Sequence, residues 1–287
     1  FLSNDMSNIK GEIMATTLKR TMRTRHIQMI GLASGIGTGL FLSSAYTIHT
    51  AGALGTIIAY SIGALLVYLV MLSVAELSIA MPATGAFHYH AQQLIGPATG
   101  FFVAIAYWLT WTIALGSEFT AAGIIMQRWL PHLPVWSFSG LFLLVILLSN
   151  FFSARIFGES EYWLAAIKVV AIVIFLLVGV LILTGIIHSP RTASAGFQNI
   201  LSHGAFPNGI WAVFTTILAV NFAFSGTELM GITAGEVENP EKAIPKAIKA
   251  VWWRQIIFFI GSIVILAAVI PYEKAGVTES PFVTVFS

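Results

Sequence analysis

Two apolar stretches of the chain are interrupted at mid-membrane depth, one by Gly35-Ile36-Gly37-Thr38-Gly39 and the other by Phe224-Ser225-Gly226-Thr227-Glu228. A helix that crosses a bilayer satisfies its backbone N–H and C=O groups internally. An opened turn is therefore tolerated only where protein or a water-filled cavity meets the freed groups. A pair of such interruptions points to a binding site buried within the membrane, of the kind that transporters build from broken helices.

The remainder of the chain fits that setting. Of its 287 residues, 57% are hydrophobic and only 9% charged, far less charge than a soluble domain of this size carries. There is no cysteine, which excludes a disulfide framework, a thiolate metal site and a cysteine nucleophile. The formal net charge of +2 gives no reason to expect nucleic acid as a partner. Apolar runs of about 20 residues predict seven spans, at about 27–48, 56–80, 98–126, 136–152, 163–187, 208–235 and 251–271, with an eighth starting near Pro281.

A cytoplasmic N-terminus places Lys10, Lys19, Arg20, Arg23, Arg25, Arg155, Lys242, Lys246, Lys249 and Arg254 inside, against Arg128, Arg191 and Lys274 outside. That asymmetry fixes the expected orientation. It divides the chain into a cytoplasmic segment, 1–25, and a transmembrane domain, 26–287. The polar, basic start leads into a full-length span and does not read as a cleavable signal. The chain reads as incomplete at both ends, since it opens on Phe1, residues 1–13 differ in character from the basic stretch after Met14, and Ser287 falls inside an apolar run.

Four groups carry candidate chemistry. In span 1, Gly31, Gly35 and Gly39 recur every four residues, which on its own is a stripe for close helix approach. Gly37 and Thr38 add to this a cluster that is poor helix sequence and good backbone for approach to a ligand. N–H groups at the start of the second half-helix suit a carboxylate. The spacing G-x-G-x-G, with no strand before it, does not support a dinucleotide fingerprint.

In span 6, Asn221, Ser225, Thr227 and Glu228 gather around Gly226. Carbonyls freed there would attract an ammonium group. Glu228 reads either as a helix-to-helix hydrogen bond or as part of a substrate and proton path. Lys168, in span 5, either snorkels to the surface or is a desolvated amine that exchanges a proton. Glu118, in span 3, is either a structural partner or a recognition group for a cationic side chain. Glu76 reads as interfacial, and His88 and His90 as solvated residues of the following loop. Most of the eight tryptophans, Trp129, Trp136, Trp163, Trp211, Trp252 and Trp253 among them, read as interface anchors.

The stretches LKRTMRTRHIQMIGLASGIGTGLF (18–41), AELSIAMPATGAFHYHA (75–91), YWLTWTIALGSEFTAAG (107–123), NFAFSGTELMGITAGEVENPEKAIP (221–245) and GVTESPFVTVF (276–286) together resemble the amino acid permeases of the amino acid–polyamine–organocation superfamily. The nearest likeness is to bacterial permeases for arginine and lysine and for S-methylmethionine. The resemblance implies an all-α polytopic membrane protein of the leucine-transporter type, with two inverted five-helix repeats and spans 1 and 6 broken. It implies a multi-pass protein of the cell inner membrane that imports an amino acid, of cationic class, by proton symport with alternating access. It calls for no cofactor, and its partners are amino acid, protons and membrane lipid.

By the same resemblance the substrate's carboxylate lies near Ser34, Gly35, Gly37, Thr38 and Gly39, and its amino group near the 222–226 backbone. The expected binding set also includes Glu118, Phe222, Phe224, Ser225, Gly226 and Glu228. Lys168 matches the family's span-5 lysine, a stand-in for the sodium ion of sodium-coupled relatives, and so implies proton coupling. Only the first repeat, spans 6 and 7 and the start of span 8 are present.

Two other classes fit less well. A membrane enzyme lacks support, because no HExxH occurs and Gly31-Leu32-Ala33-Ser34-Gly35 has Leu32 where a serine elbow needs glycine. A seven-span receptor or photoreceptor would match the span count and the single intramembrane lysine. Nothing in the sequence suggests a chromophore pocket.

Overall fold

The computed structural model describes residues 33, 35–81, 87–127, 129–151, 154–187, 195–202, 204–228, 248–249, 252–270, 272 and 282. Its regular elements are α1 (Thr38–Phe41), α2 (Ser43–Ala80), α3 (Phe87–Leu94), α4 (Pro97–Met126), α5 (Val135–Ser149), α6 (Ala154–Leu183), a 3₁₀ turn at Phe197–Ile200, α7 (Ile210–Ala223) and α8 (Trp252–Val269). No strand occurs among the described residues. Four helices, α2, α4, Glu159–Leu183 of α6, and α8, are long and apolar enough to cross a membrane. The protein is an all-α, multi-pass membrane protein.

Helix α2 contains the boundary between the first two expected spans. Gly52 has φ +77° and ψ 170°, outside the helical region. The Thr56 hydroxyl donates to the Thr47 carbonyl at 2.7 Å, although residues nine apart on a straight helix lie about 13 Å apart along the axis. The chain therefore folds back at Gly52. Asn208 secures the turn by donating its amide to the carbonyls of His49 and Thr50, at 3.2 and 3.0 Å. Those carbonyls end the first arm and have no partner further along it.

The returning arm of α2 packs on α7, and α1 packs on both. Close approach is built from small residues: a Cβ on Gly39 would lie 2.5 Å from Ala223 Cα, and one on Gly63 would lie 2.7 Å from Val220. Helix α8 lies against α6 and α2. Ile36, Leu40, Tyr60, Phe175, Phe224, Phe259 and Leu266 form the shared core. The outer faces are equally apolar, as with the exposed Leu141, Leu144, Val145 and Leu148 of α5. A bilayer is a matching solvent for that surface, and water is not.

The segment that carries His88 and His90 is a helix, α3, packed on α4. His90 is buried, and its Nε2 lies 3.0 Å from the carbonyl of Met81. In place of the expected solvated loop the segment is a two-turn helix, with His88 exposed and His90 buried. What orders it is the open carbonyl end of α2, which a ring N–H can satisfy. The expected interface tryptophans Trp129, Trp136, Trp163, Trp211 and Trp253 are exposed, whereas Trp252 packs on Tyr68 at 4.6 Å.

Gly52→Ala should lower thermal stability in detergent by about 1–3 kcal/mol, the usual cost of an L-residue at such dihedrals, plus the overlap with Pro207, whose Cδ lies 2.5 Å from the added carbon. Gly185→Ala shares the positive φ, +75°, with nothing within 4 Å. It should cost less, and equal losses in the two variants would contradict the turn as described.

Candidate functional site

At both expected positions the described residues leave the helix. Ala33 is helical, the Ile36 N–H bonds back to the Ala33 carbonyl at 2.9 Å, and the chain then leaves the helix. Gly37 is extended and stands at the N-cap of α1, where no side chain caps the helix. The first N–H groups of a helix have no partner within it, so the cluster presents donors where the notional helix has opened.

The second interruption follows Ala223. Gly226 has φ +92°, a conformation that favours glycine and turns the chain out of the helix. The turn is held by its own polar residues: Ser225 donates its hydroxyl to the Phe222 carbonyl at 2.7 Å, and Thr227 donates to the Phe224 carbonyl. The Gly226 N–H donates to Glu228 Oε2 at 2.9 Å. Glu228 thus braces the turn from within, and it also interacts electrostatically with Arg254.

The two interruptions face each other. A Cβ on Gly35 would lie 3.6 Å from the Ser225 carbonyl, 3.5 Å from Phe259 and 3.6 Å from Arg254 Nη2. Between them and α4 lies a cavity of about 280 Å³, at the small end of pockets that hold small molecules. Gly35, Gly37 and Gly39 line one side, Phe222, Ala223 and Ser225 another, and Trp111, Ala114, Leu115 and Glu118 of α4 the third. Glu118 is the one titratable residue of that lining.

Glu118 Oε1 accepts a hydrogen bond from Thr38 Oγ1 at 2.6 Å. The same oxygen lies 3.3 Å from where a Cβ on Gly37 would stand. The carboxylate therefore stands beside Thr38 and Gly37 at the first interruption.

Of the expected site residues, Gly35, Gly37, Gly39, Glu118, Phe222 and Ser225 share the cavity lining, and Thr38 adjoins it through Glu118. Phe224 points away, 1% exposed, with its ring on Tyr60 and Phe259 at 5.7 and 4.8 Å. Gly226 and Glu228 form the turn behind the lining. Ser34 lies outside the described residues. Lys168 is outside the lining. It falls on the stripe of α6 that also carries the buried Ala165, Ile172 and Phe175, yet its own side chain is exposed.

Sequence reasoning missed Trp111, Ala114, Leu115 and Ala223. The signal was available, since Trp111, Ala114 and Glu118 recur at i, i+3 and i+7 on one helix face. Arg254 was missed for a different reason. Counted as a cytoplasmic charge, it is only 3% exposed and sits beside Gly35, a placement that only the packing of α8 reveals.

Gly37→Leu should abolish ligand binding in this cavity and leave membrane insertion and folding intact, because the added chain enters the space in front of Glu118. Gly39→Leu should fail to fold, because its Cβ already meets the backbone of Ala223. Radioligand binding and gel filtration of the two variants separate these outcomes. Wild-type affinity in Gly37→Leu would exclude the cavity as the site.

Residues 26–287 match the family model described as amino acid permease. The chain is 52% identical over 272 residues to a putative histidine permease of Bacillus subtilis (strain 168), which covers 94% of this chain and 57% of that protein. It is 47% identical over 282 residues to the amino-acid permease RocC of the same organism, covering 98% of this chain and 59% of that protein. To the lysine-specific permease LysP of Lactococcus lactis subsp. cremoris (strain MG1363) it is 39% identical over 292 residues, covering 98% of this chain and 57% of that protein. The chain thus spans less than two thirds of the length of these curated relatives. The chain belongs to the amino acid permease family, whose members are transporters and not enzymes.

Proposed function

We propose that the chain forms the substrate-binding part of a permease that imports an amino acid by proton symport with alternating access. The observation that carries this reading is the cavity between two opened helices, with backbone donors on one side and a carbonyl end on the other. A zwitterion matches that polarity: its carboxylate at Gly35–Gly39 and its ammonium at the end of α7, where the Ser225 carbonyl turns toward Gly35.

The substrate class is an amino acid with a cationic side chain. The names of relatives that carry lysine and histidine support this, as do the rings of Trp111 and Phe222 in the lining, whose faces attract cations. The two inverted repeats, the location in the cell inner membrane and the cytoplasmic N-terminus belong to the same reading. In this reading Lys168 serves the coupling step and not the binding step, since it stands outside the cavity, exposed, on the stripe of α6 that carries Ala165, Ile172 and Phe175.

Binding of labelled L-lysine, L-arginine and L-histidine to the chain in nanodiscs tests the reading. At least one should bind saturably and be displaced by excess unlabelled amino acid; no binding of any would sink it. Lys168→Ala should keep that binding but lose accumulation against a gradient in liposomes. Accumulation with wild-type dependence on the proton gradient would remove Lys168 from the coupling role.

A further inference from the structure

We propose that the corner where α3 meets α4 is an anchor on the membrane surface, with Leu94 and Ile95 set into lipid at the boundary between headgroups and acyl chains. The inference stands apart from the substrate reading, since it needs no ligand in the cavity.

Four large apolar side chains are left open within a short stretch of chain. Leu94 and Ile95, at the end of α3, are 60% and 74% exposed, and Phe101 and Phe102, one turn into α4, are 71% and 70% exposed. Soluble surfaces rarely leave such a cluster to water. Residues 87–102 also contain no Asp, Glu, Lys or Arg, so the corner lacks the charge that solvates an ordinary loop. The rest of α3 has protein neighbours. Phe87 lies on Tyr107 at 5.7 Å, a Cβ on Gly100 would stand 2.6 Å from Gln92 Cβ and 2.9 Å from the His88 carbonyl, and His90 meets the end of α2. Tyr89 and Gln93, four apart on one face, turn away from those contacts and are exposed. They give the helix a polar side for water.

What covers the corner follows from its continuity with a face that meets lipid. Helix α4 is long and apolar enough to cross a membrane, and Ile105, Trp108 and Leu109 carry its exposed apolar face onward from Phe101, at the i+4, i+7 and i+8 spacing of one helix side. The corner is where that stripe reaches the end of its helix. Interfacial segments bury their apolar side chains about 5–10 Å into the headgroup and acyl boundary, and the turn of α4 from Pro97 to Phe101 rises about 6 Å. Measured from Phe101, Trp111 of the cavity lining lies about 15 Å deeper, half the thickness of a hydrocarbon core of about 30 Å. An anchor at this corner therefore sets the cavity at mid-membrane depth.

Fluorophores on single cysteines, in vesicles of phosphatidylcholine, test the anchor, and a chain without native cysteine accepts such labels one at a time. Leu94→Cys and Ile95→Cys are compared with Gln93→Cys as the wet reference and Phe101→Cys as the lipid reference. The labels at 94 and 95 should be quenched by a lipid nitroxide near the headgroup end of the acyl chain at least as strongly as the label at 101. Aqueous iodide should quench them severalfold less than the label at 93. Iodide quenching equal to that at 93, with none from the lipid, overturns the proposal, because the corner then stands in water. Shielding from both quenchers overturns it too, because protein then covers the corner, whether a second copy or another segment. The two positions report separately, so misfolding of one labelled variant leaves the other to decide. No outcome depends on binding in the cavity, so failure here leaves the substrate reading untouched.

Discussion

A backbone inside a bilayer has no water to turn to, and each unmet N–H or C=O there costs several kcal/mol. The site takes its form from how that demand is met where the helices open. At the second interruption, Ser225, Thr227 and Glu228 supply a hydroxyl, a hydroxyl and a carboxylate to the turn they belong to. At the first, the sequence supplies glycines, which carry nothing with which to cap. Its N–H groups need acceptors from outside the turn, and Glu118 brings a carboxylate across from α4, where it accepts from the Thr38 hydroxyl.

Packing holds the two interruptions opposite each other. Gly39 against Ala223 and Gly63 against Val220 draw α1 and α2 onto α7. Phe224 inserts between Tyr60 and Phe259 as the anchor of the turn. The glycines of the first interruption therefore divide their work. A Cβ on Gly39 would collide with Ala223, while Gly35 and Gly37 leave room at the cavity.

Much of this was legible in the sequence. The positions of the two interruptions, the apolar spans and six of the cavity residues follow from composition, glycine clustering and resemblance. The rest depended on contacts between distant parts of the chain. The reversal at Gly52 is invisible to an apolar-run count, because both arms are equally hydrophobic. His90 is ordered by a carbonyl nine residues earlier. Phe224 shares its segment with cavity residues, but the turn at Gly226 sends its ring to the core. Arg254 reads as an ordinary cytoplasmic cation until α8 is packed against Gly35.

The cavity that results is mostly apolar, with Glu118 the one titratable side chain of its lining and the Arg254 guanidinium beside Gly35. On the proposed reading an amino acid binds to the backbone of the two interruptions. Hydrogen–deuterium exchange in nanodiscs, with and without saturating L-lysine, L-arginine or L-histidine, addresses it directly. Binding there should slow exchange of amides at 35–39 together with 223–227 and leave α5 unchanged. Protection confined to the outer turns at Gly52 and Asn208, or none at either interruption in the presence of a bound amino acid, would contradict it.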